Sequence, residues 1–337
     1  PISDKTIRYG LGAIKGSGAQ AIEAIVAARE KGGAFTSLYD FARRVDRTKL
    51  NKRTVEALIK AGAFDCLDLN RASLLASVDR SFDFASANEA NANQGGLFDM
   101  GDDTHGSSLQ EPDLVSALPW GVKERLTHEK SALGFYLSGH LFDEVDREVR
   151  HFVKTRIDDL MDSRDAQLLT GIVSDMKTIN GQRGRLAIFK LDDKSGVIEA
   201  TVDEATMNTY RHLLREDELV IVMGKVQNDR FSGGLRLSIN QVWDLNQARC
   251  RFGKYLRVAV NGMVPDIARI VREHPARVEA TEQGNLVRGL SVRLQVLREG
   301  ANAEIELGDN AKFFPSDAAL ASWMAQAHQG QVQIIYE

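Results

Sequence analysis

Leu168-Leu169-Thr170-Gly171-Ile172-Val173 is the first of five short β-rich runs, and the spacing of those runs decides how the middle of this chain folds. The others are Leu186 to Leu191, Val197 to Val202, Leu219 to Val226 and Leu235 to Val242. β-Branched and large apolar residues dominate each one, as a half-buried pleated surface requires. Turn signals at Asn180-Gly181, Lys194-Ser195-Gly196 and Ser232-Gly233-Gly234 set the runs apart. A helical insert, Ala205 to Leu214, falls between the third and the fourth.

Five strands with a helix between the third and fourth is the order of an OB-fold β-barrel, assigned here to residues 165–248. Downstream, residues 249–337 read as a small α+β module. Leu256, Val258 and Val260 alternate, Ile267, Ile270 and Val271 take helical spacing, and Leu290, Val292, Leu294 and Val296 alternate again. Ser316 is placed to cap a helix carrying Leu320, Trp323 and Met324, and Val332, Ile334 and Tyr336 end the chain as a strand.

Upstream the period is helical. Ile22, Ile25 and Val26 share a face, as do Val55, Leu58 and Ile59, and Leu38, Phe41 and Val45. Residues 1–80 are therefore expected to form a helical domain and 123–164 a helical connector. Between them, Ser81 to Val122 holds seven acids and no Lys or Arg, with several Asn, Gly and Ser. That composition predicts a flexible acidic linker over 81–122. The chain as a whole is a multidomain α+β protein.

The formal charge of −4 averages unlike parts. Residues 1–72 carry 13 Lys/Arg against 8 Asp/Glu, whereas residues 165–245 carry 10 against 12. A basic helical domain suits a polyanion, and a mildly acidic barrel binds one weakly and with strong salt dependence. Cys66 and Cys250 are far apart with no metal-ligand spacing, so they read as buried or half-buried thiols in a reducing cytoplasm. No apolar run is long enough to span a bilayer, which predicts a protein with no membrane partner. The sequence opens at Pro1 without an initiator Met and so reads as a piece of something longer.

Three features point to binding. Gly10 to Gly18 is a glycine-dense turn opening the helix that carries Ile22, and its Ile14-Lys15-Gly16-Ser17-Gly18 core has the form of a helix-hairpin-helix turn. Such a turn offers main-chain N–H groups to a phosphate at the positive end of a helix dipole. A ligand-free glycine turn is the plain alternative. Lys49, Lys52 and Arg53 open a second helix, with Arg43, Arg44 and Arg47 just before it. Two such units side by side would track one duplex backbone through Lys15, Gly16, Gly18, Lys49, Lys52 and Arg53.

The second feature is Gln94-Gly95-Gly96-Leu97-Phe98, an apolar pair inside the cation-free stretch and a fit to the Gln-x-x-Leu-Phe peptide that docks on a bacterial sliding clamp. The third is the pair of barrel loops. Lys177, Arg183 and Arg185 flank the first, and Arg230 and Phe231 sit in the last. Arg236 should face outward, because Leu235, Leu237 and Ile239 take the inward positions. These are the cations and the aromatic by which such folds hold single strands. A barrel used purely as a scaffold is the rival reading.

No catalytic constellation stands out. Asp102-Asp103, Asp158-Asp159 and Asp192-Asp193 are each adjacent in sequence, which on a strand sends the two carboxylates to opposite faces. His140 reads as a turn or packing residue. No metal ligand set or nucleotide fingerprint is present.

In order, Gly10 to Gly18, Asn51-Lys52-Arg53 through Leu58 to Asp65, and Gln94 to Phe98 resemble the C-terminal part of bacterial DNA polymerase III alpha subunits. The resemblance continues through Glu129-Lys130, Leu133 to His140, Leu191 to Gly196 and Tyr210 to Leu214. One departure is Leu141, where the family usually has Pro.

The resemblance implies a tandem helix-hairpin-helix domain on primer-template duplex, a peptide for the β sliding clamp, an OB domain near single-stranded template, and a terminal module for the clamp-loader τ subunit. It also implies a DNA-directed DNA polymerase as parent, with its Mg2+-binding palm upstream of Pro1 and no cofactor or polymerase activity in this part. Two rivals stay open: a free-standing single-strand-binding or repair accessory protein built from the same modules, and an enzyme whose site is assembled from scattered residues.

Overall fold

The structure is a computed structural model that describes residues 9–95, 110–181, 184–229, 233–281, 284–298 and 301–336. It divides into two compact units, 1–141 and 142–337.

Among the described residues of the first unit, six helices follow a 3-10 turn at Leu11–Ala13. They are α1 (Ala19–Gly32), α2 (Leu38–Arg44), α3 (Lys52–Lys60), α4 (Arg71–Ala76), α5 (Val78–Gly95) and α6 (Val122–Leu133). Side-chain caps start three of them. Ser37 Oγ accepts from Asp40 N, Asn51 Oδ1 from Thr54 N, and Asn70 Oδ1 from Ser73 N, each satisfying an N–H that the first turn leaves without a partner. Ile25, Phe41, Val55, Leu58, Ile59, Phe64 and Leu74 fill the core.

A buried ion cluster ties these helices together. Glu129, fully buried on α6, accepts from Arg71 Nη1 at 2.8 Å and from the N–H groups of Leu137 and Ser138 at 2.8 and 2.9 Å. Arg71 also grips Asp65 through Nε and Nη2, both at 2.6 Å. Burial raises the pKa of Glu129, but the Ser138 N–H and hydroxyl, Arg71 and the Leu137 N–H outweigh it and hold the carboxyl below its ordinary value.

The flexible linker expected over 81–122 begins, in the structure, inside α5. Val78, Phe82 and Ala85 continue a helical stripe past residue 80, and Phe84 meets Tyr39 edge-on at 5.4 Å. Its far end is also fixed. Val115 N donates to Ser77 Oγ, Ala117 N to Ser73 Oγ, and Tyr39 OH to the Asp113 carbonyl. The composition of the stretch concealed these anchors, because they are made by hydroxyls on other helices. Cys66, expected to be at least half-buried, is exposed, since Phe64 takes the core position in that turn.

The division between the units falls in a 3-10 turn at Leu141–Glu144, which α7 (Asp146–Val149) follows. Leu141 is buried. The expected connector 123–164 is thus divided, its helix α6 in the first unit and residues 142–164 in the second.

The barrel runs β1 (Ala166–Gly181), β2 (Gly184–Asp192), β3 (Val197–Asp203), α8 (Glu204–Tyr210), β4 (Leu219–Asn228) and β5 (Leu235–Trp243). It closes in the order β1-β2-β3-β5-β4, with a short parallel β3–β5 contact from Glu199↔Arg236 to Thr201↔Ser238. β1 pairs with both β4 and β2, bending at a bulge between Ser174 and Lys177. Gly171 permits this, for a Cβ there would lie 2.8 Å from Leu191 Cγ and 2.9 Å from the Asp192 carbonyl. Asp193 closes the β2–β3 turn. Its Oδ1 accepts from Ser195 N and Oγ and from Gly196 N, and its Oδ2 from Arg150 Nη2 and Ile157 N.

Helix α9 (Leu245–Phe252) follows directly, so the expected boundary at 248/249 falls within a helix. The last part comprises β6 (Gly253–Val260), α10 (Ile267–Glu273), β7 (Arg277–Thr281), β8 (Gly284–Arg288), β9 (Ser291–Arg298), β10 (Ala301–Glu306), α11 (Asp317–Gln326) and β11 (Val332–Tyr336). Four strands form one sheet in the order β10-β9-β6-β11, and β7-β8 is a separate hairpin. Val258, Val292, Ile270, Phe313 and Trp323 fill its core, and Ser316 Oγ caps α11 as expected.

The carboxylate of Glu129 makes the first unit acid-sensitive in a defined direction. A pKa held below the ordinary value of about 4.3 contributes stability that is present above that pH and lost as pH falls through the lowered value. Urea unfolding across pH 2–6 should show this loss, and Glu129→Gln should flatten it while lowering stability near pH 7 by about 3–5 kcal/mol, the typical cost of breaking a buried pair.

Candidate nucleic-acid interface

The hairpin before α1 is built from a buried anchor and two open glycines. Ile14 and Ser17 are buried, whereas Gly16 and Gly18 are exposed with φ of 81° and 69°. That left-handed backbone favours glycine. A Cβ at either glycine would meet nothing within 4 Å, so the space in front of each is open. Among the described residues no acceptor takes the Gly16 or Gly18 N–H. The Lys15 N–H is committed, donating to the Ala132 carbonyl of α6 at 2.8 Å.

The first turn of α3 meets this hairpin through Thr54, which is 2% exposed and donates its hydroxyl to the Gly16 carbonyl at 3.2 Å. Two helix N-termini thus share one surface, and their dipoles add there. Lys15 and Arg53 are exposed and, among the described residues, form no ion pair. Lys49 is only loosely tied to Asp46, at 3.9 Å. Lys52 differs, since its ammonium bonds Asp79 at 2.5 Å and faces the Phe82 ring.

The arginines before α3 serve the fold. Arg44 pairs with Asp40 and donates to the carbonyls of Ala28 in the last turns of α1 and of Gly33 and Ala34 just beyond it. Arg47 bonds Glu89 and Ser86 on α5. Arg43 pairs with Asp40 at 3.1 Å. A second glycine turn, which sequence reasoning did not single out as a hairpin, joins α3 to α4 at Gly62, φ 81°. It is plugged, for a Cβ at Gly62 would lie 2.3 Å from Arg71 Nη2. One glycine turn is therefore open and the other closed by the buried ion cluster.

On the barrel, Lys177 is exposed and Arg185 lies opposite Asn180 in the β1–β2 register. Arg236 faces outward from β5 as expected, but its guanidinium is held by Glu199 at 2.5 Å and Asp229 at 3.0 Å. Arg183, Arg230 and Phe231 lie outside the described residues. So do Leu97 and Phe98, while Gln94 lies in the last turn of α5. The Asp192-Asp193 pair is structural at Asp193, through the turn described above.

This pairing of an open glycine hairpin with a five-stranded closed barrel defines a class of nucleic-acid-binding proteins, and comparison with known families agrees. Residues 1–74 match the helix-hairpin-helix motif, and residues 168–245 match the OB-fold nucleic acid binding domain. The chain is homologous to DNA polymerase III subunit alpha and corresponds to its helix-hairpin-helix and OB region. It is 44% identical over 262 residues to that subunit of Neisseria meningitidis serogroup B, an alignment covering 77% of this chain and 22% of the relative. It is 35% identical over 332 residues to that of Vibrio cholerae serotype O1, covering 97% and 28%. To that of Escherichia coli O157:H7 it is 33% identical over 343 residues, covering 99% and 29%. The chain therefore spans under a third of the length of these relatives.

Thr54 positions the open hairpin without facing solvent. Thr54→Val should lower stability by about 1–2 kcal/mol in urea unfolding, the loss expected when the Gly16 carbonyl forfeits its partner, and leave the exposed charge unchanged.

Proposed function

We propose that this chain is the DNA- and partner-holding region of a cytoplasmic replicative polymerase, in which template-directed nucleotide transfer belongs to the remainder of the parent. The open hairpin carries this reading. The Gly16 and Gly18 N–H groups, with no acceptor among the described residues, at adjoining helix N-termini and beside Lys15 and Arg53, form a cradle for the phosphates of a primer-template duplex. Lys49 adds a loosely held charge, and Lys52 can join only by leaving Asp79. No base edge need be read, so the grip suits a polymerase that must hold any sequence.

The barrel is proposed to hold single-stranded template, with Lys177 and Arg185 as contacts and Arg183, Arg230 and Phe231 alongside them in the loops. Gln94, Leu97 and Phe98 are proposed to dock on the β sliding clamp. Residues 249–337 are proposed to bind the clamp-loader τ subunit, and the exposed Val278, Leu286 and Val287 of the β7–β8 hairpin offer an apolar surface for it. Mg2+ would serve the parent's transfer chemistry. Among the described residues no group of three His, Cys, Asp or Glu is gathered to hold a metal. No helix among them is long and apolar enough to cross a membrane.

Fluorescence anisotropy with a duplex oligonucleotide tests the hairpin. Lys15→Ala with Arg53→Ala should weaken binding and reduce the slope of log affinity against log salt by about 1.8, two phosphates' worth. An unchanged slope would remove the hairpin from the interface. Leu97→Ala with Phe98→Ala should abolish most clamp affinity in calorimetry, because a few buried apolar anchors dominate such interfaces.

A further inference from the structure

Several cations of the second unit are already committed, and others are not. Arg150, Lys190, Lys194 and Arg236 are paired with acids of the same unit. Arg211, His212 and Arg215, in the turns that follow α8, are exposed and, among the described residues, have no ion-pair or hydrogen-bond partner for their side chains. They rim a groove of about 660 Å3 whose floor is Met176 of β1, Met207 of α8 and Leu214. That floor is continuous with the barrel core, in which Leu214 is buried and both methionines are half-buried. The acid nearest in sequence, Glu216, is turned to the backbone, accepting from Asp175 N and Met176 N at 3.2 and 3.4 Å.

The groove is continuous with the β1–β2 hairpin. Thr178 lines it, and Asn180 stands two residues further along the same face of β1. Arg185 is directly opposite Asn180, so it projects on that face too. Lys177 points to the other face. Arg185 near the hairpin and Arg211 and Arg215 in the turn after α8, none of them in an ion pair among the described residues, thus flank the two ends of this face, while Glu204 accepts from the Arg185 N–H at 3.2 Å.

We propose that this groove is a subsite for single-stranded nucleic acid, in which Arg211 and Arg215 hold successive phosphates and one base lies on Met176 and Met207 beside the His212 ring. The proposal rests on the reading of the barrel as a single-strand site and moves part of that site to the α8 end, away from Arg236, whose charge is already satisfied. Cation rim and apolar floor together suit a nucleotide, which is anionic on one side and has a flat apolar face on the other. An acidic peptide with one apolar anchor is the competing occupant.

The test uses the full chain and a fluorescein-labelled oligothymidine of about 15 nucleotides. Arg211→Ala with Arg215→Ala should reduce the salt slope of binding by about 1.4, two single-strand phosphates' worth. Lys225→Ala, an exposed lysine on β4, should leave the slope unchanged. With methyl-13C-methionine, added oligothymidine should shift the Met176 and Met207 signals and spare those of exposed Met263 and Met324.

If the wild-type chain binds oligothymidine but neither the slope nor the Met176 and Met207 signals respond, the groove assignment fails and the barrel reading survives. If binding survives but is indifferent to Lys177→Ala and Arg185→Ala as well, both fail. If instead an Asp/Glu-rich peptide containing one Phe shifts Met176 and Met207, and oligothymidine does not, the groove belongs to a protein partner and the proposal is overturned.

Discussion

A carboxylate taken wholly out of water must be paid for by several donors at once, and that requirement at Glu129 organises the N-terminal unit. Three groups from two places answer it: Arg71 from α4 and the amides of Leu137 and Ser138 from the turn after α6. Arg71 is then constrained to reach Asp65, and in doing so it fills the space in front of Gly62. The same cluster that fixes α4 against α6 therefore closes one glycine turn. The hairpin at Gly16 and Gly18 carries no such plug, and this difference is what leaves it open to an anion.

The second unit uses the same device twice. Asp193 gathers the β2–β3 turn, Arg150 and Ile157, so the segment before the barrel is fastened to its rim. Glu148 accepts both Arg249 Nε and Nη2 and the Tyr336 hydroxyl, while Arg249 reaches Asp317 and the Pro315 carbonyl. The Glu148–Arg249 pair thus joins the segment before the barrel and α9 to the start of α11, through Arg249, and to the last strand, through Glu148. Burial works against ionising Glu148, yet Arg249 holds its pKa below the ordinary value, and burial together with Glu148 drives that of Tyr336 upward. A buried pair of this kind adds little net stability over an apolar pair, but losing one member is costly, which suits a device that fixes geometry.

These internal uses of charge explain why counting cations misleads. Arg43, Arg44, Arg47, Arg71, Arg150, Arg236 and Arg249 all have acids or carbonyls of the same chain as partners. Lys15, Arg53, Arg211 and Arg215 do not, among the described residues. The groups free to meet a polyanion are fewer than composition suggests, and the open hairpin and the α8 end of the barrel each keep some of them.

Local pattern in the sequence was enough to establish the helical first domain, the five barrel strands with their inserted helix, and the cap at Ser316, because each depends on neighbours within one or two turns of chain. The glycine hairpin was legible for the same reason. The end of the helical domain was not, since α5 runs on through Asn-rich sequence and is held by Tyr39 and Arg47 from elsewhere. Strand β10, Ala301–Glu306, has too few large apolar residues to show a period and exists by pairing with β9. Which cations are free, which glycine turn is open, and that Met176, Met207 and Arg211 share a groove were decided only by the tertiary structure. Each depends on a partner tens of residues away, and a sequence read locally carries no record of which distant charge will arrive to neutralise which.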